Sequence, residues 1–290
     1  MNFKEKYNKY LSVINNGLDD LFNELSCVSP EIIEGMRYAV VGGGKRIRPV
    51  LCLAFADALG VNHSEVLNYA LAIELIHSYS LVHDDLPALD NDDYRRGKLS
   101  THKKFGEAYG ILIGDALLNL AYETALNKTV FTQKDRKALK LIANYCGYSG
   151  MIAGQYLDIK HEKNTNITKQ DLQNVYENKT AKLLTAPILV ASILADNKFY
   201  QELCDLGFSL GLAFQIKDDL MDYFGNKETI GKTPGKDLEQ DKLTSIKVYG
   251  IDGAKEKLTA LHEKAVDIAK KLPNNDFILS LLNNLYLRNN

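Results

Sequence analysis

Apolar side chains recur at three- and four-residue intervals over residues 64–84, 106–126, 135–158 and 200–224, the spacing of one face of an α-helix. No series of short alternating runs bounded by turn residues competes with them, and the chain has only six prolines. Several starts carry a physical cap. Thr132 with Asp135, and Thr168 with Asp171, fit the box in which a threonine hydroxyl and an acid three residues on satisfy each other's backbone N–H. Ser29-Pro30 fits an N-cap followed by proline in the first turn. Many segments are apolar over more than one stripe, which suggests central helices buried all round. Residues near 86–105, 159–167, 225–241 and 272–275 read as loops, none long or polar enough for an interdomain linker. The pattern predicts a single all-α domain over 1–290, a large bundle of about ten or more helices.

Composition adds bounds. The 290 residues are 46% hydrophobic and 25% charged, enough to bury a sizeable core. A net charge of −2 gives no general attraction to nucleic acid or anionic lipid, so no nucleic-acid partner is expected. The longest greasy stretch, Leu183 to Ala195, is interrupted by Thr185, Pro187 and Ser192 and is shorter than the roughly 20 apolar residues of a spanning helix. The N-terminus lacks the apolar region of a signal peptide. A soluble, cytoplasmic protein without a stable membrane anchor is the expectation. Cys27, Cys52, Cys146 and Cys204 form no Cys-x-x-Cys pair and read as reduced core thiols.

Against this ordinary background two acidic clusters stand out. "SLVHDDLPALDNDDYRRG", residues 80–97, holds five aspartates within ten positions at the end of an apolar helix. Asp84 and Asp85 continue that helix, while Pro87 should distort the backbone before Asp90. On an ideal helix Asp84 and Asp90 would point about 240° apart, so a kink or bulge must bring them together. The second cluster is "QIKDDLMDYFG", residues 215–225. Here Asp218 and Asp222 lie about 40° apart, with Gln215 on the same stripe and Asp219 beside it. Buried carboxylates need a partner, a proton or a metal, and oxygen-only ligands point to Mg²⁺. An EF-hand is excluded, because neither count from Asp84 nor from Asp90 finds the required glycine and glutamate. His77 lies two turns before Asp84 on the same face, about 10 Å away. It is either a satisfied core histidine or part of the site.

The basic counterpart is "GGGKRIRP", residues 42–49. It is not a Walker loop, because Ala39 stands where the first glycine belongs and Arg46 replaces Ser/Thr. Three glycines let the backbone turn closely and present Lys45, Arg46 and Arg48. With Arg95 and Arg96 these offer an anion site suited to phosphate oxygens. Taken alone, a glycine turn with solvated basics would be the better explanation.

Together with "THKKFGEAYGILIGDALL", "GQYLDI", "NKT" at 178–180 and "IGKTPGKD", these segments resemble the trans-isoprenyl diphosphate synthase family, specifically the bacterial farnesyl type. They run in family order from residue 42 to 237. The resemblance implies an all-α bundle with a deep central cavity, usually a homodimer, with the two aspartate motifs facing each other across the cavity mouth. It implies two or more Mg²⁺ ions held by Asp84, Asp85, Asp90, Asp218, Asp219 and Asp222. These would clamp the diphosphate of an allylic substrate, dimethylallyl or geranyl diphosphate, with Arg95, Lys179 and Lys232. Lys45, Arg48, His77 and Arg96 match positions that hold isopentenyl diphosphate, and Thr180 and Gln215 match residues near the developing cation. Ala153, where many relatives have a second glycine, is a departure of little expected effect. The implied reaction is head-to-tail condensation to (2E,6E)-farnesyl diphosphate.

Product length rests on the helix before the first motif. Tyr79, five positions upstream, resembles the floor residue of the farnesyl type, although on an ideal helix it points about 140° from Asp84. Small Ser80 leaves room below, which keeps a geranylgeranyl product open. A terpene cyclase or head-to-head synthase would share the bundle and the metal logic. It would need no isopentenyl site, and its second metal motif would not read "DDLMD". A non-catalytic subunit should have lost aspartates or basics, and both sets are present. Asp92 and Asp93 are left as solvated or ion-paired neighbours.

Overall fold

The computed structural model describes residues 2–162, 167–224 and 243–288. Among these the chain is almost wholly helical. The order is α1 (Phe3–Glu24), α2 (Pro30–Val41), α3 (Ile47–Leu59), α4 (His63–Asp84), a hairpin of β1 (Tyr94–Arg95) and β2 (Lys98–Leu99), α5 (Thr101–Phe105) and α6 (Glu107–Leu126). It continues with α7 (Gln133–Cys146), α8 (Met151–His161), α9 (Lys169–Tyr176), a π turn (Glu177–Ala181), α10 (Lys182–Leu194), α11 (Tyr200–Phe224), α12 (Ser245–Ala269) and α13 (Asp276–Leu287).

The apolar run from Leu183 becomes the centre of the bundle. Every residue of α10 from Leu183 to Leu194 is buried, because α3, α4, α7 and α11 surround it. The main core gathers side chains from α1, α3, α4, α6, α7, α10 and α13. A smaller one of Leu172, Val175, Tyr176, Ile216, Leu220, Leu243, Ala254 and Leu258 ties α9, α11 and α12 together. No helix among the described residues is long and apolar enough to cross a membrane.

The capping boxes at Thr132–Asp135 and Thr168–Asp171 are both formed. Pro30 opens α2, but Ser29 makes no side-chain cap bond. The periodic run 135–158 divides into α7 and α8. Its apolar spacing stays in phase across a turn at 147–150, where a Cβ on Gly150 would come 2.1 Å from the Tyr145 carbonyl oxygen. The 86–105 segment is more than a loop. Arg96 (φ 54°) and Gly97 (φ 77°) make the two-residue turn of its hairpin, a conformation matched to the twist of the strands. Cys52 and Cys146 are buried and Cys204 partly so, but Cys27 is exposed, at the end of α1 where the apolar stretch runs out.

Candidate active site

The first acidic segment resolves its geometric problem by ending the helix. After Asp84 the chain turns back, with the Asp90 N–H donating to the Asp84 carbonyl (2.9 Å) and the Asp92 N–H to that of Asp85 (3.1 Å). Asn91, in the left-handed region (φ 48°), completes the return. Pro87 lies outside the helix and kinks nothing. Asp84 and Asp90 are thereby near enough to repel. Burial first, and then the Asp90 charge, hold the Asp84 carboxyl above its ordinary range, with Lys179 opposing them.

Asp85 takes a different partner. Its side chain is 2% exposed and accepts from Arg95 Nε at 2.9 and 3.1 Å, with Arg95 Nη2 also in contact. Arg95 reaches Asp92 as well, at 3.3 Å. Asp92 is therefore ion-paired, and exposed Asp93 pairs with Lys103 at 2.9 Å.

Opposite stands the π turn, an insertion that widens the helix by one residue and recurs at functional sites. Two glycines pinch it. A Cβ on Gly154 of α8 would lie 2.0 Å from the Lys179 backbone nitrogen, and one on Gly211 of α11 would lie 2.3 Å from the Ala181 Cα. Lys179 Nζ meets Asp158 Oδ2 at 2.5 Å. Burial works against its charge, but Asp158, Asp84 and Asp90 outweigh it and hold the ammonium above its ordinary range. Asp158 stands in "GQYLDI", yet only its distance to Lys179 reveals its part.

The next residue faces the other acidic segment. Thr180 Oγ1 donates to Gln215 Oε1 (2.8 Å), and Gln215 Nε2 to Asp219 Oδ1 (3.3 Å). Asp219 is 4% exposed and also accepts from the Tyr176 hydroxyl, the Ser245 N–H (2.6 Å) and the Ser245 hydroxyl (2.7 Å). Burial pushes its carboxyl up to about 7 against those hydrogen bonds. It therefore anchors α9, α11 and α12 to one another. Asp218 accepts from Arg288 Nη2 at 2.6 Å. That guanidinium lies 3.7 Å over the Phe214 ring and donates to the Phe214 carbonyl at 3.0 Å. Nothing in the spacing of the C-terminal residues signals this contact. Asp222, one turn further along α11, is half-buried.

The basic loop adjoins this end. Burial and Arg288 lower the Lys45 pKa, while Asp218 opposes them. Arg48 is brought down to about 10 by burial, with Glu74 opposing. His77 is held well below its usual range by burial and by Arg48, Arg96, Arg95 and Arg46, so its imidazole is neutral at pH 7. Arg46 is not presented to solvent or site. It is 5% exposed and donates to Glu74 Oε1 and the Val40 carbonyl, both at 2.7 Å. Arg96 Nη1 donates to the Gly43 carbonyl at 2.7 Å. Lys232 lies outside the described residues. Upstream, Tyr79 is buried with its ring edge-on to His83, and its hydroxyl has no hydrogen-bond partner among the described residues. The Ser80 hydroxyl donates to the His77 carbonyl at 2.9 Å.

No three acidic, histidine or cysteine side chains among the described residues converge into a cage for a metal. A Mg²⁺ ion does not need one, since it is held by one or two carboxylates together with phosphate oxygens and water. The crowded Asp84–Asp90 pair, rich in oxygen donors and with Asp84 held above its ordinary range despite Lys179, fits that role.

An all-α bundle that brings the first acidic segment beside Lys179, and the cationic loop beside Arg96 and Asp218, has a site suited to anionic, phosphate-bearing substrates. The polyprenyl synthetase family matches residues 29–275. A farnesyl diphosphate synthase of Micrococcus luteus is 40% identical over 283 residues, 97% of this chain and 96% of that protein. A chloroplastic geranylgeranyl pyrophosphate synthase of Capsicum annuum is 39% identical over 269 residues, 91% of this chain and 72% of that one. Among solved structures, a Helicobacter pylori geranyltransferase complexed with magnesium and isoprenyl diphosphate superposes with a TM-score of 0.84. It is 31% identical, and the match covers 96% of this chain and 94% of that one. The chain belongs to the polyprenyl synthetase family, a family of prenyltransferases.

Proposed function

We propose that this chain, acting as a single domain, condenses an allylic diphosphate with isopentenyl diphosphate, with farnesyl diphosphate as the end product. The observation that carries the reading is the meeting of Asp84 and Asp90 beside Lys179, each electrostatically coupled to the others. An ammonium and two crowded carboxylates suit a leaving diphosphate that arrives with divalent cations.

Asp84, Asp90 and Asp218 would hold Mg²⁺, which when bound supplies the positive charge that stabilises the departing diphosphate. Asp85 then acts by orienting Arg95, and Asp219 by fixing α11. Asp222, one turn beyond Asp218, stays a further candidate ligand. Lys179 and Arg95 would receive the diphosphate, which leaves with the electron pair of the broken allylic C–O bond. The Thr180 and Gln215 oxygens, already hydrogen-bonded to each other, would stabilise the allylic cation. The alkene of isopentenyl diphosphate, held by Lys45, Arg48, His77 and Arg96, forms the new C–C bond. The resulting cation then loses a proton, with the released pyrophosphate as its acceptor. Buried Tyr79 supports a floor at the farnesyl length.

The test is incubation with Mg²⁺, dimethylallyl diphosphate and labelled isopentenyl diphosphate, followed by sizing of the products. A fifteen-carbon diphosphate is expected. Absence of any elongated product would sink the reading. A homodimer is part of it, since exposed Tyr109, Ile111 and Leu112 on α6 offer an apolar face to a second copy. Elution at the monomer mass in gel filtration would remove that part.

A further inference from the structure

We propose that Glu74 is a positioning residue that holds Arg96, against Arg46 and the glycine loop, in place for isopentenyl diphosphate; this rests on the function proposed above. Glu74 sits in α4, 1% exposed, eleven residues before Asp85. Eleven residues are about three turns, so the two carboxylates share a face within about 20°. Each meets one of two consecutive arginines. Asp85 holds Arg95, and Glu74 Oε1 lies 4.0 Å from Arg96 Nη2. The same oxygen takes Arg46 Nη1 at 2.7 Å.

The surroundings are built around this carboxylate. Arg46 (φ 49°) and Arg96 (φ 54°) both hold a left-handed backbone, which side-chain-bearing residues rarely adopt unless neighbouring contacts fix it. Arg96 lies against the glycine loop. A Cβ on Gly44 would come 2.9 Å from its Cζ, and its Nη1 bonds the Gly43 carbonyl. Arg48 is also in the field of Glu74. Three guanidinium groups, Arg46 buried and Arg48 and Arg96 half-buried, thus cluster here, and before an anion arrives one carboxylate offsets their mutual repulsion. Glu74 would repel a diphosphate, so it acts through the arginines and not on the substrate.

The two possible effects of the charge have opposite signs, which makes the test decisive. If Glu74 mattered only through its field, Glu74→Gln would remove a repulsive charge and lower the KM for isopentenyl diphosphate. If it positions the arginines, that KM rises at least tenfold, while kcat and the KM for dimethylallyl diphosphate stay within threefold. Each substrate is varied with the other saturating. An unchanged or lower KM, or an equal loss in all three constants, overturns the inference. Should the Gln variant not fold by circular dichroism, Glu74→Asp keeps the charge one methylene further back. It should raise the same KM selectively, and no rise overturns the idea. If the wild type itself elongates nothing, the functional reading falls separately. Calorimetric titration of isopentenyl diphosphate into both proteins then decides, and equal affinities overturn the inference.

Discussion

Asp84 and Asp85 are neighbours in sequence with opposite energetics. Asp84 is a carboxylate that burial and Asp90 make costly to ionise, so Asp84→Asn relieves repulsion in the empty protein. It should leave Tm unchanged or higher while lowering kcat by about a hundredfold. Asp85→Asn instead strips Arg95, which is 17% exposed, of its closest partner and leaves Asp92 at 3.3 Å. Breaking such a pair costs about 3 kcal/mol or more, so Tm should fall. Measuring Tm and kcat on both variants separates the two roles, and a matched pattern would refute the division. Tyr79→Ala should lengthen the product on reversed-phase sizing; an unchanged length would remove Tyr79 as the floor. The charges at these positions were legible in the sequence, but their partners were not. Arg46 reads as a presented cation because its left-handed backbone, which sends it to Glu74, leaves no trace in residue type.

At the scale of elements, the site depends on how closely helices approach the π turn. Gly154→Ala or Gly211→Ala would drive a Cβ into its backbone, and overpacking of this kind costs about 1–3 kcal/mol. Both variants should show a lower urea midpoint together with reduced turnover. Asp57, near the end of α3, links three helices by accepting from Tyr10 of α1 (2.6 Å) and His63 of α4 (2.8 Å). Burial raises its carboxyl, but these hydrogen bonds and the charges of His63 and Lys6 prevail and bring it to about 2. The unfolded value is about 3.9, so the unfolded chain binds more protons between those limits. The contribution is complete above about pH 4 and is lost as pH falls through about 2. Asp57→Asn should therefore lower Tm at pH 7, with the difference shrinking below about pH 4 in melts across that range. The elements themselves were mostly legible, since periodicity placed α4, α6 and α11 within a residue or so of their ends. It failed at 147–150, where apolar spacing continued in phase through a turn, and it could not show the fold-back that returns Asp90 to Asp84.

For the whole molecule, the buried Asp84 held beside Asp90 is costly to ionise, so cations and diphosphate that bind there make the loaded state more stable. Mg²⁺ with a bisphosphonate at a hundred times its Kd should add about 2.7 kcal/mol, read as a rise in Tm of several degrees. Either component alone should give less. No shift with both would speak for a scaffold that kept the fold. The bundle was legible as a class from composition and period, whereas the approach of Lys179 to Asp84 and Asp90 depends on tertiary packing that no local pattern encodes. The π turn also has a bearing on which length changes this chain can survive. Removing one residue from 177–181 would take out the inserted residue and leave a plain α turn, so the helices on either side would keep their phase. The close-packed surroundings of α10, buried on every side, would then be kept as well. Such a deletion should give a protein that folds while Lys179 and Thr180 lose their separate directions. The extra residue serves the chemistry of the turn and not the packing of the helix it opens.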